Sequence, residues 1–85
     1  MTFKLCDGVL TADVEYGTAL LDETRGLYWN LNPTGALALQ TLLAGGTAEQ
    51  AAGALAEAYA VDVDIARQDV QELVDELRSA KLVEQ

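Results

Sequence analysis

The chain has 85 residues and a formal net charge of −9, from five Lys and Arg against fourteen Asp and Glu, with no histidine, one cysteine and one serine. A chain this short forms one domain, and burying only about 60% of its unfolded surface leaves one small core and no room for a deep catalytic cleft. Its 51% hydrophobic content is enough to offset the ordering entropy that keeps many acidic chains disordered.

The missing side chains exclude whole classes of chemistry. Without His there is no Ser-His or Cys-His nucleophile pair, and a lone Cys6 can build neither a structural zinc site nor an internal disulfide. No apolar run approaches the roughly 20 residues of a membrane span. Met1-Thr2-Phe3-Lys4 lacks the features of a secretory signal, so the chain reads as cytoplasmic. Phosphate contacts need Lys and Arg, so the sign of the charge argues against nucleic acid. No metal or cofactor is expected.

In chain order, Val9–Val14 is a short β-leaning run, Glu15-Tyr16-Gly17 a turn, and Thr18–Asp22 a second run. Asp22-Glu23-Thr24-Arg25-Gly26 is a second turn, and Leu27–Leu31 a third run holding two of the five aromatic residues. The three runs predict an antiparallel meander. Cys6 is read as lying before the folded part, with an ordered core from about residue 8 to residue 84 of a single domain spanning 1–85.

At Asn32-Pro33 the period changes from two to 3.6. Asn32 suits an N-cap, Pro33 the first helical position, and Ala36, Leu39, Leu42 and Leu43 form an apolar stripe that Gly45-Gly46 ends. Thr47-Ala48-Glu49-Gln50 has capping-box spacing, and Ala51, Leu55, Ala58 and Tyr59 give the second helix its buried side. Asp62 can cap a third helix through about Ala80, on which Val70, Leu73, Val74 and Leu77 share one sector. Leu82-Val83 either returns as a short strand or simply packs.

The expected fold class is therefore α+β: a three-stranded antiparallel meander followed by three helices, like a winged helix-turn-helix. That layout usually serves DNA. Here the would-be recognition helix carries Asp62, Asp64, Asp69, Glu72, Asp75 and Glu76 against Arg67 and Arg78, with Lys81 just beyond, so it repels phosphate.

Leu21-Asp22, Gly26, Tyr28-Trp29-Asn30-Leu31-Asn32-Pro33-Thr34-Gly35-Ala36, Leu42-Leu43, Gly45-Gly46-Thr47, Asp69-Val70, Leu73, Leu77 and Leu82-Val83 together resemble the PqqD-like proteins. The likeness runs from about Val9 onward, and free-standing members of lasso-peptide clusters read very much this way. It implies a recognition element for the leader of a ribosomally made precursor peptide, hence a peptide chaperone in antibiotic biosynthesis rather than an enzyme. The leader would add as an extra strand along the third strand of the meander, its apolar side chains entering a groove against the third helix. A cysteine-type leader peptidase and an ATP-dependent macrolactam cyclase would be the enzymes served.

Strand addition makes physical sense, because an edge strand offers unpaired N–H and C=O groups to an extended peptide. Alternation places Leu27, Trp29 and Leu31 on one face and Tyr28 and Asn30 on the other. Leu31, beside the helix cap, reads as core, while Trp29 and Leu27 could wall the groove. On the third helix Val70, Leu73, Val74 and Leu77 are the expected floor, with Asp69, or Arg67 and Arg78, as polar anchors; either border of that apolar sector could face the strand. An aromatic, a proline and a branched aliphatic residue are the expected leader motif.

Plainer readings exist for each feature. The helical stripe can be core alone, a single Trp is often buried for bulk, an acidic helix face is usually solvated, and Asn32–Gly35 is first a helix start. A carrier protein needs a serine at the start of a helix, whereas Ser79 stands at the end of one. A protein-binding or regulatory winged helix without precursor recognition is the alternative function.

Overall fold

The computed structural model describes residues 3–84; Met1, Thr2 and Gln85 lie outside the described residues, and with them part of the N-terminal segment read above for a signal. Two short strands, β1 (Lys4–Leu5) and β5 (Val83–Glu84), bracket the rest: β2 (Val9–Val14), β3 (Gly17–Asp22), β4 (Leu27–Leu31), α1 (Pro33–Leu43), α2 (Ala48–Tyr59) and α3 (Val63–Ser79). β2, β3 and β4 form the antiparallel meander, in that order, with Leu20 opposite both Thr11 and Trp29.

The meander bends where its turn residues allow. The Asp22 carboxylate accepts from the backbone N–H groups of Thr24 and Arg25 at 3.1 Å each, and Gly26 takes φ +68° to close the β3–β4 turn. Gly17 enters β3 at φ +146°, and a Cβ there would collide with the Leu31 carbonyl oxygen. A glycine at this point therefore lets β3 run against the end of β4.

The helices start as their sequences predict. The Asn32 side chain accepts from the Gly35 N–H at 2.9 Å with Pro33 in the first helical turn, and Thr47 and Gln50 complete a reciprocal capping box. Asp62 caps α3 by accepting from the Asp64 N–H at 2.8 Å. Helix α1 packs on the sheet, α2 on α1, and α3 on α2. Leu20, Leu39, Leu77, Leu82 and Val70 are the largest fully buried side chains.

Two expectations change. The second helix buries Ala51, Ala52 and Leu55, leaving Tyr59 and Ala58 exposed, because α2 ends as Ala60 turns into the left-handed region. The segment before residue 8 is part of the fold: Phe3 is buried, β1 pairs with β5, and the Cys6 N–H donates to the Leu82 carbonyl at 2.9 Å. Of the expected Leu82-Val83 pair, Val83 returns in a strand, β5, whose partner is β1, while Leu82 packs just before it. Leu82 and Val83 are both buried there.

Candidate peptide-binding site

Strand β4 pairs with β3 along one edge and with no strand along the other among the described residues. That free edge presents backbone donors and acceptors for an added strand. Next to it lies a groove of about 470 Å³ between β4 and α3, lined by Trp29, Asn30 and Leu31 from the strand and by Asp69, Val70, Glu72, Leu73 and Glu76 from the helix. Asn32, Thr34, Gly35 and Ala38, from the start of α1, and Leu55 of α2 complete the lining.

The strand's alternation sets what enters the groove. Trp29 stands opposite the fully buried Leu20, rests on the core and stays half-buried; Leu31 is buried. Leu27, on the same face, stands at the turn opposite Asp22, is 45% exposed and falls outside the groove lining. Tyr28 is on the opposite face of the sheet, where with Val14, Tyr16 and Asn30 it borders a separate shallow hollow. Asn30 borders both.

On α3 the half-buried Leu73 and the buried Val70 form the apolar helix wall. Val74 and Leu77, expected in the floor, lie beneath it instead: they are core residues, Leu77 fully buried, and neither lines the groove. The border of the apolar sector that faces β4 is the acidic one. Asp69, Glu72 and Glu76 are exposed along it, spaced three and four residues apart on one side of the helix.

The other border is turned away, so Arg67 and Arg78 are not groove residues. The Arg67 guanidinium donates to Glu49 of α2 at 2.5 and 3.1 Å and to Asp64 at 2.7 Å. This ties α3 to α2, holds the Glu49 carboxyl below its ordinary range and raises the Arg67 pKa. Arg78 is exposed near the end of α3.

A second arginine links the sheet to the end of α3. The Arg25 side chain donates to the buried Asp22 carboxylate at 2.6 Å and to the Ala80 carbonyl at 2.6 Å, tethering the β3–β4 turn to the end of α3. The Arg25 hydrogen bonds, from side chain first and backbone second, hold the Asp22 carboxyl below its ordinary range. Cys6 stands apart from the groove, its thiol pKa raised by burial and then by the Glu84 carboxylate. Among the described residues no group of three or more His, Cys, Asp or Glu is placed to hold a metal ion, and no helix is long and apolar enough to cross a membrane.

Sequence reasoning missed Glu72, Ala38, Leu55 and the helix-start residues Asn32, Thr34 and Gly35 as lining residues. Glu72 and Glu76 carried a readable signal, since positions three and seven residues beyond Asp69 share its side of a helix. Leu55 carried none, because it reaches the groove only through the packing of α2.

Residues 17–83 match the protein family described as coenzyme PQQ synthesis protein D (PqqD). Among solved structures, a lasso peptide synthetase B1 complexed with the leader peptide is 34% identical, with a TM-score of 0.92 and 100% of both chains covered. TbiB1 in complex with the TbiA(beta) leader peptide is 26% identical, with a TM-score of 0.84, covering 95% of this chain and 94% of that one. None of the curated proteins matches.

Proposed function

The chain belongs to the PqqD family, and from that premise we propose that it is the leader-recognition element of a lasso-peptide pathway. The leader of a precursor peptide pairs in extended form with the free edge of β4, and its apolar side chains seat against Trp29, Val70 and Leu73. Main-chain pairing supplies affinity without regard to sequence. The groove, reached by alternate side chains of the added strand, supplies the choice of peptide.

The observation that carries this reading is the juxtaposition of an unpaired strand edge with a groove whose apolar wall is Trp29, Val70 and Leu73. The two structural relatives are each described as a complex with a leader peptide, which supports the same occupant. The chain binds and delivers; a leader peptidase and an ATP-dependent macrolactam cyclase do the chemistry, in the cytoplasm. A sequence with no histidine and one serine fits that division of labour.

Trp29 is the sole tryptophan and lines the groove, so its fluorescence reports occupancy directly. Titrating a lasso-precursor leader peptide is expected to shift Trp29 emission with saturable, one-to-one binding. Affinity is expected to persist at moderate salt, because strand pairing and apolar burial are weakly screened. Absence of binding, or binding abolished by modest ionic strength, would contradict the proposal.

A further inference from the structure

The groove has charge of one sign only. Asp69, Glu72 and Glu76 line it, and no Lys or Arg does. Three of the chain's five cations are committed elsewhere: Arg67 to Glu49 and Asp64, Arg25 to Asp22, and Lys4 to Glu84. Arg78 and Lys81 are exposed outside the groove lining. Among the described residues, the polar rim beside the apolar wall is therefore a row of solvated carboxylates with no counter-charge.

Resting on the function proposed above, we propose that the peptide taken by this groove is cationic: it carries Lys or Arg within two residues of the apolar side chain seated between Trp29 and Leu73. Asp69, Glu72 and Glu76 are the residues that select it.

Geometry supports this placement. Leu73 sits between Glu72 and Glu76 in sequence and lines the same groove. A helix rises about 1.5 Å per residue, so the four-residue step from Glu72 to Glu76 spans about 6 Å. In an extended peptide, side chains two residues apart lie about 6.7 Å from each other. The two spacings are similar, and a Lys or Arg two residues from the seated side chain has the reach to meet a carboxylate of this row. Long Lys and Arg stems can also lie along the apolar wall while their charged ends reach the rim. A leader with Asp or Glu at those positions would meet like charge there and across a chain of net charge −9, which slows encounter as well as weakening the complex.

The test selects binders from a displayed library of peptides roughly twice the length of β4. An aromatic, a proline and a branched aliphatic residue are held fixed and all other positions are random. The full-length chain and its Asp69→Asn/Glu72→Gln/Glu76→Gln variant are the two baits. All three positions are exposed, so near-isosteric amides leave the fold intact, which circular dichroism verifies. The expected result is several-fold enrichment of Lys and Arg within two residues of the aliphatic anchor for the parent chain and loss of that enrichment for the variant. Lys→Glu changes in a selected peptide should weaken parent binding by about two- to five-fold per position. Good binders with no cationic enrichment, or equal enrichment on both baits, would overturn the inference and leave leader recognition standing. Failure to select any peptide that shifts Trp29 emission would overturn both.

Discussion

Replacing Trp29 with alanine separates a peptide groove from an ordinary core patch. The indole, on the strand position opposite Leu20, packs against the core yet stays half-buried at the groove wall. A Trp offers about 250 Å² in all, of which roughly 50 Å² here remains for a ligand. A peptide side chain seated on it buries a similar area of its own, so about 100 Å² leaves water, worth about 2.5 kcal/mol at 25 cal/mol/Å². Ordering costs on binding consume part of this, so the affinity loss for Trp29→Ala should fall between about 10- and 70-fold. The same change removes intramolecular packing worth about 2 kcal/mol, below the 3–5 kcal/mol of a fully buried aromatic. A domain of this size has about 4–13 kcal/mol of stability, so the variant should remain folded with Tm lowered by about 8–16 °C. Trp29→Phe keeps most of the apolar area and should bind within about five-fold of the parent. Fluorescence anisotropy with labelled leader, paired with thermal circular dichroism, measures both effects. A folded Trp29→Ala variant with affinity within two-fold of the parent would refute the groove assignment.

Other expectations follow from the elements that hold the groove in place. Asp22 is a carboxylate whose folded pKa lies below its ordinary value. Its contribution is therefore present above the unfolded-state pKa, about 3.9, and is lost as pH falls through the depressed folded value. Asp22→Asn should be less stable than the parent at pH 7, with the gap narrowing below about pH 4 in denaturant titrations; a constant gap would contradict the pairing with Arg25. Gly17→Ala forces a Cβ against the Leu31 carbonyl at φ +146° and should cost more than about 2 kcal/mol, a Tm loss of about 10 °C or more; an unchanged Tm would mean β3 and β4 do not meet as described. Cys6 has a raised thiol pKa and a backbone bond to Leu82, so iodoacetamide at neutral pH should modify the folded chain at least about ten-fold more slowly than the urea-unfolded chain. Equal rates would remove the evidence for closure by β1 and β5.

The meander and the three helix starts were legible because short-range chemistry specifies them. Asn32 before Pro33, Thr47 three residues before Gln50, and Asp62 before the α3 stripe each satisfy free amides locally. Strand alternation likewise put Trp29 and Leu31 on the inner face and Tyr28 on the other. What the sequence left open depends on contacts between distant segments. Pairing of β1 with β5 joins residues about eighty positions apart, and two-residue strands carry no periodicity to reveal it. Which border of α3 faces β4 is set by the rotation of that helix on α2, where Arg67 finds Glu49. That contact takes Arg67 away from the groove and leaves Asp69, Glu72 and Glu76 beside the strand. Val74 and Leu77 share a helical sector with Leu73, and periodicity alone does not tell the rim of an apolar stripe from its buried centre.

Hydrogen exchange with and without the leader distinguishes the two outer strands of the meander, of which only β4 borders the groove. Strand addition to β4 should slow exchange of the outward amides within Leu27–Leu31 by an order of magnitude or more at saturating peptide, while the outer edge of β2, Val9–Val14, exchanges as in the free chain. Protection confined to β2, or saturable binding with no change along β4, would rule out strand addition at β4.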